Sequence, residues 1–155
     1  MNNPSTVNGL DLNQDASMFT CSLADGVRVY NVEPLMEKLR LDFEQVGSIS
    51  KAAMYYRTNV MALLSGAPKP KFGAHQVMVW DTRKNDIAVE LTFSSDVSNV
   101  LLCRGKLVAV LQQRVYVFSF PDDAKQLLEL DTRANPHGVC ALVTSNNKQV
   151  SGCWC

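Results

Sequence analysis

The chain has 155 residues, its fifteen basic and fifteen acidic side chains cancel, and 46% of it is hydrophobic. That balance excludes a global field that would draw it to nucleic acid or an anionic membrane, and aromatic and β-branched residues are too frequent for a disordered chain. No run approaches the ~18–20 apolar residues of a membrane span.

The opening, Met1-Asn2-Asn3-Pro4-Ser5-Thr6, is polar and lacks the charged-then-apolar order of a signal peptide. Residues 1–7 are expected to be disordered. Five scattered cysteines, three of them (Cys21, Cys103, Cys140) inside apolar runs, read as buried reduced thiols. The expectation is a cytosolic protein.

From residue 8 the chain repeats itself. Val27-Arg28-Val29-Tyr30-Asn31 returns as Val77-Met78-Val79-Trp80-Asp81 and as Val115-Tyr116-Val117-Phe118-Ser119. Each copy alternates valine, variable, valine, aromatic, then a small polar residue. Period-two alternation is the strand signal, and since neither face is polar throughout, both faces need covering. The intervals of 50 and 38 positions straddle the ~40–45 residues of a four-stranded propeller blade. The excess in the second unit lies in residues 65–73, a Pro- and Gly-rich stretch that reads as a loop. Without those nine residues the first interval falls to 41.

Each unit reads as four short strands. The first has residues 8–12, 18–23, 27–31 and 39–43, with a hairpin signal at Asp25-Gly26. A helix over residues 33–44 competes with the last of these, because Leu35, Met36, Leu39 and Phe43 fall at helical spacing and Pro34 suits a first turn. The second unit has 50–55, 60–64, 77–81 and 87–93; the third has 97–103, 107–111, 115–120 and 127–130. A strand from Gly138 opens a fourth. The fold expected is all-β, a partial WD40-like propeller with blades at about 8–46, 47–95 and 96–134 and the start of another at 138–150.

The residues Leu12-Asn13-Gln14-Asp15, the run from Gly26 to Lys38, Glu44-Gln45-Val46-Gly47-Ser48, Val79-Trp80-Asp81, the run from Tyr116 to Asp122, and Asp131-Thr132-Arg133 with Asn135-Pro136 and Gly138 resemble the amino-terminal part of a PROPPIN. These are the WD-repeat phosphoinositide-interacting β-propellers of autophagy. The likeness covers roughly residues 8–150 and is nearest the branch that pairs with the autophagy lipid-transfer protein. It implies a non-catalytic scaffold of autophagosome formation, located in the cytoplasm and at the phagophore assembly site. It also implies a seven-bladed ring whose late blades bind phosphatidylinositol 3-phosphate or 3,5-bisphosphate through adjacent arginines. No Arg-Arg pair occurs in this sequence, so no phosphoinositide-binding residue is assigned to it. The resemblance further implies that Asn13 and Asp15, with Pro70 and Lys71, contact the lipid-transfer protein. From the residues alone, Asn13-Gln14-Asp15 reads first as a plain turn whose side chains satisfy their own backbone, and Lys69 and Lys71 as a solvated loop tip.

His75 and His137 lack Cys or carboxylate neighbours at ligand spacing, so no metal or other cofactor is expected. Nor is there a nucleophile–base pairing or Gly-rich phosphate loop; no catalysis is expected. Trp80, Tyr30 and Phe118 read as inter-sheet core rather than a binding stripe. Ser151-Gly152-Cys153-Trp154-Cys155 continues nothing in the pattern, and the expectation is a truncated product that is poorly soluble alone and prone to aggregation or partner capture.

Overall fold

The computed structural model describes residues 5–143. They form twelve strands in three four-stranded antiparallel sheets, each laid out in chain order. The first comprises β1 (Val7–Leu12), β2 (Met18–Leu23), β3 (Gly26–Asn31) and β4 (Met36–Asp42). A single-turn helix, α1 (Phe43–Val46), leads to β5 (Gly47–Met54), β6 (Val60–Pro70), β7 (Gln76–Asp81) and β8 (Asp86–Thr92). The third sheet holds β9 (Val97–Cys103), β10 (Lys106–Leu111), β11 (Arg114–Ser119) and β12 (Gln126–Asp131).

The echoed pentads are the third strands, and they are equivalent. Val27, Val77 and Val115 each stand second in their strand and are at most 1% exposed. In all three sheets the ladder to the outer strand slips between the second valine and the aromatic: Val29/Tyr30, Val79/Trp80 and Val117/Phe118. A bulge adds local twist, so its recurrence gives each sheet the same strongly twisted outer strand.

Adjacent sheets pack face to face, with β5 lying across β1 and β2 and β9 across β5 and β6. Between the first two sheets Met18, Val27, Val29 and Leu41 meet Ala52, Met54, Met61, Leu63 and Trp80. Between the second and third, Ala62, Leu64, Val77 and Val79 meet Leu107, Ala109, Tyr116 and Phe118. Trp80 and Phe118 are thus core, 4% and 8% exposed. Tyr30 is not. It stacks on Phe19 (centroids 5.1 Å apart) on the first sheet's far face, which no other sheet covers among the described residues.

One choice is settled in favour of the expected strand, and two further expectations need correcting. The competing helix over residues 33–44 gives way to β4, because pairing Val27 with Leu41 and Val29 with Leu39 buries the apolar side chains in the inter-sheet core; only Phe43–Val46 turns helical. The stretch 65–73 is not wholly a loop. β6 runs on to Pro70, opposite Gly47, across two register shifts that absorb the extra residues. Residues 138–143 form no strand: an inner strand needs a second strand to bond to, and none stands beside it among the described residues. Cys140 and Leu142 nevertheless pack on the third sheet's outer face, against Val108, Val110, Val115 and Val117. The remainder of the expected fourth blade, the tail 151–155 and residues 1–4 lie outside the described residues.

Candidate partner-binding site

The turn between β1 and β2 joins all three sheets. Asn13 is 5% exposed. Its Oδ1 accepts from the backbone N–H of Met18 (3.0 Å), while Nδ2 donates to Ser17 Oγ (3.3 Å) and to the carbonyl of Tyr56 in the next sheet (3.4 Å). Gln14 Nε2 donates to the carbonyls of Met54 (2.7 Å) and Leu102 (2.9 Å), and Oε1 accepts from the N–H of Tyr56 (2.6 Å). One amide therefore pins the ends of β5 and β9 to the first sheet. Ala16 and Tyr56, in the facing turns, hold positive φ of 56° and 51°, a conformation that costs a non-glycine residue of order 1–2 kcal/mol. The hydrogen bonds just described hold the backbone there.

Asp15 is exposed, as are Gln14 and Ala16 on either side of it. Its Oδ1 accepts from the backbone N–H of Ser17 (3.0 Å) and from the Ser17 hydroxyl. Those two bonds, chiefly the hydroxyl, hold the carboxyl below its usual range, with Arg57 adding to the effect. It is a fixed, ionised acceptor at the surface.

Pro70 and Lys71 lie at the other end of the sheets. β6 starts beside the Asn13 turn and ends at Pro70, paired with Gly47. Lys71 Nζ donates to the carbonyls of Glu44 (2.6 Å) and Gln45 (2.8 Å), closing the last turn of α1, and the N–H of Lys69 donates to Ser48 Oγ (3.1 Å). The 8 residues of β5, from Gly47 opposite Pro70 to Met54 beside the Asn13 turn, put roughly 25 Å between the two pairs at ~3.3 Å per residue. The four residues expected to grip one partner form two separate places: an acidic turn, and a basic extension tied to the link between sheets.

Two grooves at the sheet junctions escaped the sequence reading. One, of about 180 Å³, lies between the first and second sheets beside Lys38 and Arg57. The other, of about 370 Å³, lies between the second and third, over Phe93, Tyr116 and Phe118 and rimmed by Glu90 and Glu129. The repeat that aligns the sheets could have placed both, since each falls where an outer strand meets the following sheet. Among the described residues no cluster of His, Cys, Asp and Glu could hold a metal ion.

Comparison with known proteins agrees with the fold. The chain is 34% identical over 139 residues to SVP1-like protein 2 of Pichia angusta, covering 90% of this chain and 38% of that protein. It is similar to the SVP1-like proteins over most of its length. To the Schizosaccharomyces pombe SVP1-like protein 2 it is 32% identical over 145 residues, 93% of this chain and 39% of the relative. The chain therefore spans about two fifths of the curated relatives it matches. Hsv2 of Kluyveromyces lactis superposes with a TM-score of 0.70 at 22% identity, over 89% of this chain and 39% of that one. The WD40 repeats of RRP9 superpose at 0.62 and 12% identity, over 84% and 40%. These structural likenesses establish the fold, a partial WD40-like β-propeller. No protein-family model matches the chain.

Proposed function

We propose that this chain is a non-catalytic scaffold of autophagosome formation. In this reading its turn between β1 and β2 docks the autophagy lipid-transfer protein through Asp15. Recognition of phosphatidylinositol 3-phosphate or 3,5-bisphosphate belongs to the later sheets of longer relatives, with the assembly sited in the cytoplasm at the phagophore membrane. The observation that carries the reading is the likeness to the SVP1-like proteins across nine tenths of the chain, taken with an ionised, outward-facing carboxylate on a braced turn. A charge held in place before binding loses little freedom on binding, and it selects a partner by complementarity. Asn13 supports this surface from beneath, because its polar atoms are engaged within the protein. Pro70 and Lys71 make a second, separate contact.

The test is a pull-down of the lipid-transfer protein by the wild-type chain, by Asp15→Ala, by Asn13→Ala with Asp15→Ala, and by Pro70→Ala with Lys71→Ala. Loss of capture with Asp15→Ala, in a chain that melts like wild type, supports the reading. Capture unaffected by every variant, or absent from the start, sinks it. Absence would favour a generic WD-repeat adaptor without a lipid link, a reading supported by the structural likeness to WD40 repeats outside the SVP1-like proteins.

A further inference from the structure

The face of the first sheet that points away from the second consists of two rows of side chains running across the strands. Leu12, Phe19, Tyr30 and Glu37 make one row, and Leu10, Cys21, Arg28 and Arg40 the other, each residue opposite the next in the ladder. Alternate residues of the same strands, Val27, Val29, Leu39 and Leu41, face the second sheet. Both rows run from apolar to charged. At the β1 end Leu10 and Leu12 are 64% and 65% exposed. At the β4 end Arg40 and Glu37 stand side by side in an ion pair of 2.9 Å, and the Tyr30 hydroxyl donates to Glu37 (3.2 Å). The corresponding rows of the other sheets end differently, in Ile87 and Glu90 in the second and in Gln126 and Glu129 in the third. Of the three sheets, only the first ends its two rows in opposite charges, and on this side no sheet covers it among the described residues.

We infer that this face takes a second copy of the same chain, in an isologous dimer. A two-fold axis perpendicular to the strands and midway between the rows lays each row of one copy on the other row of its mate. Leu12 then meets Leu10, Phe19 meets Cys21, Tyr30 meets Arg28 and Glu37 meets Arg40, and every pairing occurs twice. The apolar ends bury each other, a tyrosine ring faces a guanidinium, and each carboxylate faces an arginine that donates two parallel bonds to it. The outer face of the third sheet is a poorer occupant. Cys140 and Leu142 already cover its inner part, and its rows end in Leu128 and Leu130, which offer nothing to Glu37 and Arg40. Four strands of six or seven residues cover roughly 20 Å by 19 Å at ~3.3 Å per residue and ~4.8 Å per strand, about 400 Å² for each copy. That is below the ~800 Å² per partner of a standard interface, so the dimer is reversible at micromolar concentration. The inference goes beyond the scaffold role and does not depend on what meets the Asp15 turn.

The experiment is sedimentation velocity of the 155-residue chain across the micromolar range, where a reversible rise from one chain to two is expected. Glu37→Arg alone and Arg40→Glu alone each set like charges opposite one another and should raise the dissociation constant roughly tenfold or more. An equimolar mixture of the two variants should restore association, because each supplies the charge the other lacks while the ion pair within each chain stays broken. Trp80 fluorescence during urea unfolding reports whether both variants fold. A second readout needs no substitution. The two Cys21 residues of the dimer are offset by two positions along the strands, about 7 Å at ~3.3 Å per residue, so a short bismaleimide should link Cys21 to Cys21 in the wild-type chain, as read by mass spectrometry of the digest. A chain that stays monomeric throughout, its face covered by residues 144–155 or left bare, overturns the inference. So does association that the single variants leave unchanged or that their mixture fails to restore. Association abolished instead by Leu128→Glu with Leu130→Glu overturns it too, in favour of a head-to-tail contact through the third sheet. A failed pull-down of the lipid-transfer protein beside an intact dimer leaves this inference standing; capture of that protein by a monomeric chain removes the dimer alone.

Discussion

Gln14 engages both ends of its amide at the joints between sheets, although the residue as a whole remains exposed. Gln14→Leu would strand two carbonyls and one N–H, and groups left without partners cost about 1–3 kcal/mol each when shielded from water. A loss of roughly 2–4 kcal/mol is expected here because solvent reaches part of the site; urea unfolding followed by Trp80 fluorescence measures it. Acid should act through other residues of the same kind. Asp81 is held below its ordinary value by the Asn59 side chain first and then by the N–H groups of Arg83 and Lys84. Asp15 and Asp123 are lowered by Ser17 and Ser119. A carboxyl whose folded pKa is depressed contributes stability that is fully present above its unfolded value of ~3.9 and is lost as pH falls through the folded one. The melting temperature should therefore hold level from pH 7 to 5 and fall below about pH 4, with a shallower acid limb in Asp81→Asn. An acid limb of unchanged slope in that variant would show that Asp81 is not among its causes.

At the scale of elements, the repeat was legible because its cause is local: valines and an aromatic at alternate positions of a strand covered on both faces. The same logic ranks the three aromatics. Trp80 fills the space between two sheets and Tyr30 lies on a face that no sheet covers among the described residues. Trp80→Ala should cost about 3–5 kcal/mol, as large-to-small core changes do, and Tyr30→Ala about 1 kcal/mol or less; denaturant midpoints decide. What the sequence hid were features whose causes are distant. Leu35, Met36, Leu39 and Phe43 fit a helix as well as a strand, and only pairing of Leu39 and Leu41 with β3 settles the choice. The extension of β6 past Ser65 depends on Gly47 and Ser48 lying alongside. Asn13 looked like a surface acceptor because nothing local tells that Tyr56, 43 positions away, receives its amide. The groove was invisible for the same reason: Lys38, Arg57 and Met18 meet only across sheets.

For the molecule as a whole, the decisive quantity is the apolar surface at its two ends. On the first sheet Leu10 and Leu12 are 64% and 65% exposed, beside Phe19 and Tyr30. They occupy the register that Ala52 and Met54 hold in the second sheet, where the preceding sheet buries them to 0% and 7%. On the third sheet Leu128 and Leu130 are 45% and 43% exposed, only the inner part of that face being covered by Cys140 and Leu142. Contiguous apolar patches of this kind drive association in water. The 155-residue chain should therefore scatter light increasingly with concentration in the micromolar range and bind a dye that reports exposed hydrophobic surface. Leu10→Glu with Leu12→Glu should suppress both signals. It should leave the unfolding midpoint within about 0.5 kcal/mol of wild type, because neither side chain touches the core. Sharp monomeric elution of the wild-type chain, with no dye binding, would mean that the two faces are covered by something other than these sheets.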